Sequence, residues 1–97
     1  MITVDKPGRT KQDLLKSLED IKTSFAPEIQ KYDLKVTPIT DGYNLKGNKK
    51  IIFIDVMADI NIKAEDGKFV IDYQTKNIPQ SKIDEVLVQV RDVLEKS

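Results

Sequence analysis

Between residues 52 and 64 every even-numbered position is apolar: Ile52, Ile54, Val56, Ala58, Ile60, Ile62 and Ala64. The odd positions of the same stretch carry Asp55, Asp59, Asn61 and Lys63 among others. A period of two is that of a β-strand, whose successive side chains point to opposite faces, and no helix gathers these residues on one side. The chain is therefore committed to a sheet with one apolar face that other elements must cover. The stretch exceeds the usual strand length of about 3–10 residues, so a bend or bulge is expected within it.

Asp66-Gly67 follows directly. A two-residue loop at this pair sets Ala64 opposite Phe69, Ile62 opposite Ile71 and Ile60 opposite Tyr73, all on the apolar face. The same register puts Glu65 beside Lys68 and Asp72 across from Asn61. Turn chemistry and face pattern agree, which fixes this hairpin. Further upstream, Leu34-Lys35-Val36-Thr37 alternates, and Pro38 points to an edge strand or the end of a regular ladder. Asp41-Gly42 is a favoured hairpin-loop pair, Tyr43-Asn44-Leu45 alternates again, and Gly47-Asn48 reads as another turn. Ile2 and Val4 mark a short strand over 2–5, ended by Lys6-Pro7-Gly8-Arg9.

The cover for the sheet is supplied by two helical stripes. Leu14, Leu15, Leu18, Ile21, Phe25 and Ile29 recur at spacings of three and four. Thr10 precedes them with Asp13 at the third helical position, a loose capping box. Pro27 interrupts the stripe, because an interior proline removes an amide donor and clashes with the preceding turn. Two readings remain, a helix over 10–31 kinked near Pro27 or a helix ending near Phe25 followed by one more turn. The stripe continuing through Ile29 to Tyr32 favours the kink. The second stripe is Ile83, Val86, Leu87, Val90, Val93 and Leu94, starting near Pro79–Ser81, with Ser81-Lys82-Ile83-Asp84 as a candidate cap. The order is β-α-β-β-β-β-α. The expected architecture is a single α+β domain over 1–97, a curved antiparallel sheet with two helices packed on one face.

Composition narrows function more than it names it. The chain has no Cys and no His. Disulfides, thiolate metal sites and histidine-based nucleophile systems are therefore outside its chemistry. No G-x-G-x-x-G, phosphate-binding loop or metal-binding motif occurs, so no cofactor and no enzymatic activity are expected. Sixteen basic residues balance sixteen acidic ones, which argues against general nucleic-acid affinity. The longest apolar run is Ile51-Ile52-Phe53-Ile54, far short of the roughly 20 residues of a membrane-spanning helix. Met1-Ile2-Thr3-Val4-Asp5 lacks a basic segment followed by an apolar one, and the expected location is the cytoplasm.

Four features are candidates for function. Asp55 and Asp59 share a sheet face with Asn61, and Asp72 lies across from Asn61. Carboxylates so placed suit a hard cation or acid–base work. Residues two apart on a strand are about 6.6 Å apart, however, wide for one ion, and charge is ordinary on a wet sheet face. Lys46, Lys49 and Lys50 around Gly47-Asn48 suit phosphates or anionic lipid, and equally protect a sheet edge from aggregation. Ile51, Phe53 and Met57 are apolar on the odd face, which the alternation makes the wet one; they mark an interaction surface for a protein partner or a second copy of the chain, unless a local twist or bulge tucks them beneath the neighbouring hairpin. Finally, a curved sheet gripping a helix can hold a ligand cavity. The reading from sequence is thus a small non-enzymatic accessory or binding protein acting through a sheet-face or edge surface and possibly homodimeric, with carriage of a small apolar ligand in the helix–sheet cleft as the alternative.

Tyr32-Asp33-Leu34, the strand pair through Asp59-Ile60-Asn61-Ile62 and Phe69-Val70-Ile71, and Lys82-Ile83-Asp84-Glu85-Val86-Leu87 resemble the granule-region proteins of bacterial polyhydroxyalkanoate systems. The resemblance is one of architecture over nearly the whole chain. It implies an accessory role and carries over no catalytic residue. The family's Gly/Leu-rich apolar stretch before the last helix is replaced here by the polar Thr75-Lys76-Asn77-Ile78-Pro79.

Overall fold

The structure is a computed structural model that describes residues 1–31 and 33–97, with Glu28 and Ile51 described in their backbone only. Its elements are β1 (Ile2–Asp5), α1 (Lys11–Ser24), α2 (Ala26–Lys31), β2 (Lys35–Ile39), β3 (Gly42–Ile51), β4 (Ile54–Glu65), β5 (Lys68–Lys76) and α3 (Gln80–Lys96). The strands form one five-stranded sheet in the order β1-β5-β4-β3-β2. Every neighbouring pair is antiparallel. This is the expected α+β architecture, with α2 as an additional short turn of helix.

One face of the sheet carries the core. Val4, Leu45, Ile60, Ile62, Ala64, Phe69 and Ile71 are buried together with Leu14, Leu18 and Ile21 of α1 and Val90 and Leu94 of α3. The β4–β5 register pairs Ala64 with Phe69, Ile62 with Ile71, Ile60 with Tyr73 and Glu65 with Lys68, as the sequence pattern requires. Gly67, at φ +79°, takes the left-handed turn position that glycine occupies without steric penalty. Thr10 caps α1, its side-chain oxygen accepting from the Asp13 N–H at 3.2 Å.

Four sequence expectations are corrected. The chain does not continue as one kinked helix through Pro27. α1 closes at Phe25, whose N–H donates to the Ile21 carbonyl, and α2 starts at Ala26. Pro27 thereby falls in a first helical turn, where its missing N–H has no intrahelical partner to lose, while Phe25 stays in the core. The stripe residue Tyr32 lies outside the described residues. The β2–β3 loop is Thr40-Asp41 rather than Asp41-Gly42, since Ile39 pairs with Gly42. Gly42 is instead a strand residue whose added Cβ would overlap the Ile62 carbonyl oxygen. At the last helix, Pro79 is the N-cap and Ser81 lies inside α3, so the proposed cap at Ser81 is not formed.

The fourth correction moves a hairpin tip. Gly47-Asn48 is not a turn: Gly47 pairs with Ala58 and Asn48 with Met57 in mid-ladder. The loop is Ile52-Phe53, between the paired Ile51 and Ile54. The strand expected over 52–64 therefore begins at Ile54. A loop at Gly47-Asn48 would have set Lys46 against Lys49 and Leu45 against Lys50. The observed register sets Leu45 against Ile60, Tyr43 against Ile62, Lys46 against Asp59 and Lys50 against Asp55. These matched cross-strand pairs outweigh the local turn preference of one Gly-Asn pair.

Candidate functional site: an apolar cleft beside a projecting hairpin

Burial along α3 is graded. Leu94 and Val90 are buried, whereas Leu87, Val86 and Ile83 are half-buried. The inner face of β4 runs in the same sense: Ala64, Ile62 and Ile60 are buried, Ala58 and Val56 half-buried, and Ile54 is 55% exposed. The sheet thus outruns its helical cover. Where the two separate, an open cleft of about 400 Å³ remains.

The sheet wall of the cleft is Ile60, Ala58 and Val56 of β4 with Tyr73 and Thr75 of β5 and Gly47 and Lys49 of β3. Gly47 and Ala58, cross-strand partners, leave that wall shallow. The helix wall is Ile83, Val86, Leu87 and Lys82, and Ile78-Pro79 and Lys31, Asp33 and Leu34 complete the lining. The surface that the cleft exposes is mostly apolar, and its charged residues, Lys31, Asp33, Lys49 and Lys82, are exposed to solvent. Asn77 is held at φ +58° and Asp33 at φ +54°, left-handed positions that these two residue types adopt more readily than most. The Asn77 amide donates to the Asp55 carbonyl oxygen at 2.8 Å, tying the start of α3 to the hairpin.

Beyond the cleft the β3–β4 hairpin ends in an exposed apolar tip. Ile52 is 81% and Phe53 91% exposed. Ile52 sits at φ +57°, an outlier for a β-branched side chain. Of the three residues assigned to an interaction surface, Phe53 belongs to this tip rather than to a strand face, and Met57 is half-buried on the outer face between Asn48 and Lys76. The Ile51 side chain lies outside the described residues. The structure thus separates Phe53 from Met57 and adds Ile52 and Ile54, which the sequence pattern had assigned to the covered face.

The outer face of the sheet is largely polar, with Val70 and Met57 as apolar exceptions. The Asn44 amide donates to Asp59 Oδ1 at 2.6 Å and to Asn61 Oδ1 at 2.8 Å across β3 and β4. Asp55 is opposite Lys50, and Asp72, beside the N-terminal ammonium at 4.0 Å, lies next to Asn61. Among the described residues no group of three or more carboxylates is placed to hold a metal ion. The lysines expected to ring a turn are divided by the strand alternation: Lys49 lines the cleft, while Lys46 and Lys50 belong to the outer face.

Sequence periodicity placed the cleft residues on the inner face but carried no signal for the point at which α3 leaves it. No described helix is long and apolar enough to cross a membrane. Comparison with protein-family models, with curated proteins and with solved structures finds no match to this chain.

Proposed function

We propose that the protein is a small non-enzymatic binding protein that carries an apolar ligand in the cleft between α3 and the sheet, in a cytoplasmic setting. The observation that carries this reading is the cleft itself: about 400 Å³, within the range of small-molecule sites, and walled by Val56, Ala58, Ile60, Tyr73, Val86 and Leu87. The absence of His and Cys from the sequence is in keeping with a binding rather than a catalytic role. The architectural resemblance to granule-region proteins fits an accessory role and does not select a ligand.

The test is titration with Nile red, whose emission shifts to the blue in an apolar site. Binding to the wild-type chain is expected, with its loss in Ala58→Phe, which fills the cleft from the sheet wall. Circular dichroism should show that the variant keeps its fold. Undiminished dye binding in the folded variant would remove the cleft as the carrier site.

A second reading rests on a different observation, the 91% exposure of Phe53 beside Ile52. An apolar tip of this kind serves contact with a protein partner or a second copy. Sedimentation velocity across micromolar concentrations separates the two readings. A concentration-dependent dimer that Phe53→Ser abolishes supports contact through the tip, and a monomer throughout removes self-association.

A further inference from the structure

Resting on the carrier reading, we infer that the ligand is an anionic amphiphile, a single-chain carboxylate, whose tail lies against Ile60 and Tyr73 and whose head group sits between Lys49 and Lys82. The walls of the cleft admit an alkyl chain, but its charged residues are of one predominant sign. Lys31, Lys49 and Lys82 line it, against Asp33 alone. The chain as a whole is neutral, with sixteen basic and sixteen acidic residues, so this local excess is not a by-product of a basic protein. It is a property of the mouth.

The placement of two of these lysines gives the site a polarity. Lys49 stands on the sheet wall, cross-strand from Val56, and Lys82 stands on the helix wall one residue from Ile83. Val56 to Ile60 spans about 13 Å along β4 at a strand rise of about 3.3 Å per residue. A ligand lying along this strand meets only apolar or small side chains from Ile60 to Val56 on β4, and then the ammonium groups. Both lysines can bury their methylene stems on the cleft walls while keeping the charge at its mouth. Lys82 is paired with Glu85 at 3.8 Å, with both side chains more than half exposed. An exposed pair of this length is weak and is readily exchanged for a ligand carboxylate. The Asn77 amide, which also lines the cleft, spends one of its N–H donors on the Asp55 carbonyl, so the lysines supply the charge that a carboxylate would meet.

The experiment compares three probes of equal chain length on the full chain, each below its micellar concentration: dodecanoate, dodecanol and dodecyltrimethylammonium. Each competes with Nile red, and dodecanoate is also titrated by calorimetry so that its binding is read without the dye. Dodecanoate is expected to bind about tenfold more tightly than dodecanol, the worth of one charge-assisted contact, and the cationic probe most weakly. In Lys49→Met/Lys82→Met, which keeps the apolar stems, dodecanoate should fall to the level of dodecanol while dodecanol is unchanged. Equal binding of all three probes, or a carboxylate preference that survives the double substitution, would overturn the head-group assignment and leave the carrier reading standing. No heat with dodecanoate and no dye binding would overturn both. A dimer that dodecanoate fails to dissociate, with neither dodecanoate nor Nile red bound, would overturn both and assign the cleft to a second copy of the chain instead.

Discussion

The two ends of the sheet are built to different standards. At the end where β4 meets β5, the left-handed backbone positions are glycines, Gly8 and Gly67. The Lys6 N–H donates to the Gly67 carbonyl and the Gly67 N–H to the Arg9 carbonyl, each at 2.8 Å. The Lys11 N–H donates to Asp66 Oδ1 at 2.8 Å, joining α1 to the same turn. The last turn of α3 is held there too, as Lys6 Nζ donates to the Glu95 and Ser97 carbonyl oxygens and an Arg9 guanidinium nitrogen to that of Ser97. Cations at a helix C-terminus satisfy orphan carbonyls and complement its dipole. At the opposite end the left-handed positions fall to Asp33, Ile52 and Asn77. There α3 begins at Pro79 with no side-chain cap, and the apolar side chains lose their cover. Local choices agree with the fold at the first end and conflict with it at the second. A concentration of such conflicts in one region is where function is sought, because strain and exposed apolar surface persist only against the pull of stability.

Truncating the same residue type at both ends of one helix tests the difference between the two ends of the sheet most directly. Leu94 is fully buried, and Leu94→Ala should destabilise the protein by about 4 kcal/mol through lost burial and a residual cavity. Leu87 is only partly buried beside an open cleft, so Leu87→Ala should cost less, about 1–2 kcal/mol, because its loss widens the cleft instead of leaving a closed cavity. Urea unfolding at equilibrium measures both. Equal losses would mean that α3 is packed as tightly at the cleft as at its C-terminal end, and the two-ended description would fail.

The ends also differ in how far they could be read from sequence. The β4–β5 hairpin was legible because Asp66-Gly67 and the pairing of Ile60, Ile62 and Ala64 with Tyr73, Ile71 and Phe69 select one register. The β3–β4 tip was not, because its loop is made of Ile52 and Phe53, residue types that signal strand, while Gly47-Asn48 signals a turn that the ladder overrides. The alternation identified the inner face down to Ile54 correctly. It could not report that the helical cover thins beyond Ile60, since the period of a strand carries no information on where a helix lies over it, and the α3 residues in the core are Val90 and Leu94. Asp59 was legible as an outer-face carboxylate, but its engagement by Asn44 depends on a register that the misplaced turn had concealed.

Ile52 gives a smaller and opposite effect. A β-branched residue at φ +57° costs about 1–2 kcal/mol relative to an unstrained conformation. Glycine adopts that conformation freely but loses more chain entropy on folding, about 0.5–1 kcal/mol. Ile52→Gly is therefore expected to stabilise the chain by about 0.5–1 kcal/mol, read as a higher urea midpoint at an unchanged slope. The same substitution should leave dodecanoate binding intact, because Ile52 does not line the cleft. A destabilised Ile52→Gly would show that the Ile52 side chain makes contacts that hold the hairpin, and that the tip belongs with the well-built end after all.

The smallest expected effect lies at Lys11, where α1 is clamped to the β2–β3 loop. Lys11 Nζ is 2.7 Å from Asp41 Oδ1, and that hydrogen bond holds the ammonium pKa above its ordinary value, with the Asp41, Asp66 and Glu65 charges acting in the same direction. A folded pKa raised above the unfolded one favours the native state at every pH below the unfolded value, about 10.4 for lysine. The contribution then declines as pH rises through the folded pKa. The difference in unfolding free energy between wild type and Lys11→Met should accordingly be constant from pH 7 to about 10 and shrink above it. Because the pair is exposed, the difference should be small and should diminish further in high salt. A difference that persists undiminished at pH 12 would mean that Lys11 acts through its methylene stem, and that the clamp at this end is packing rather than charge.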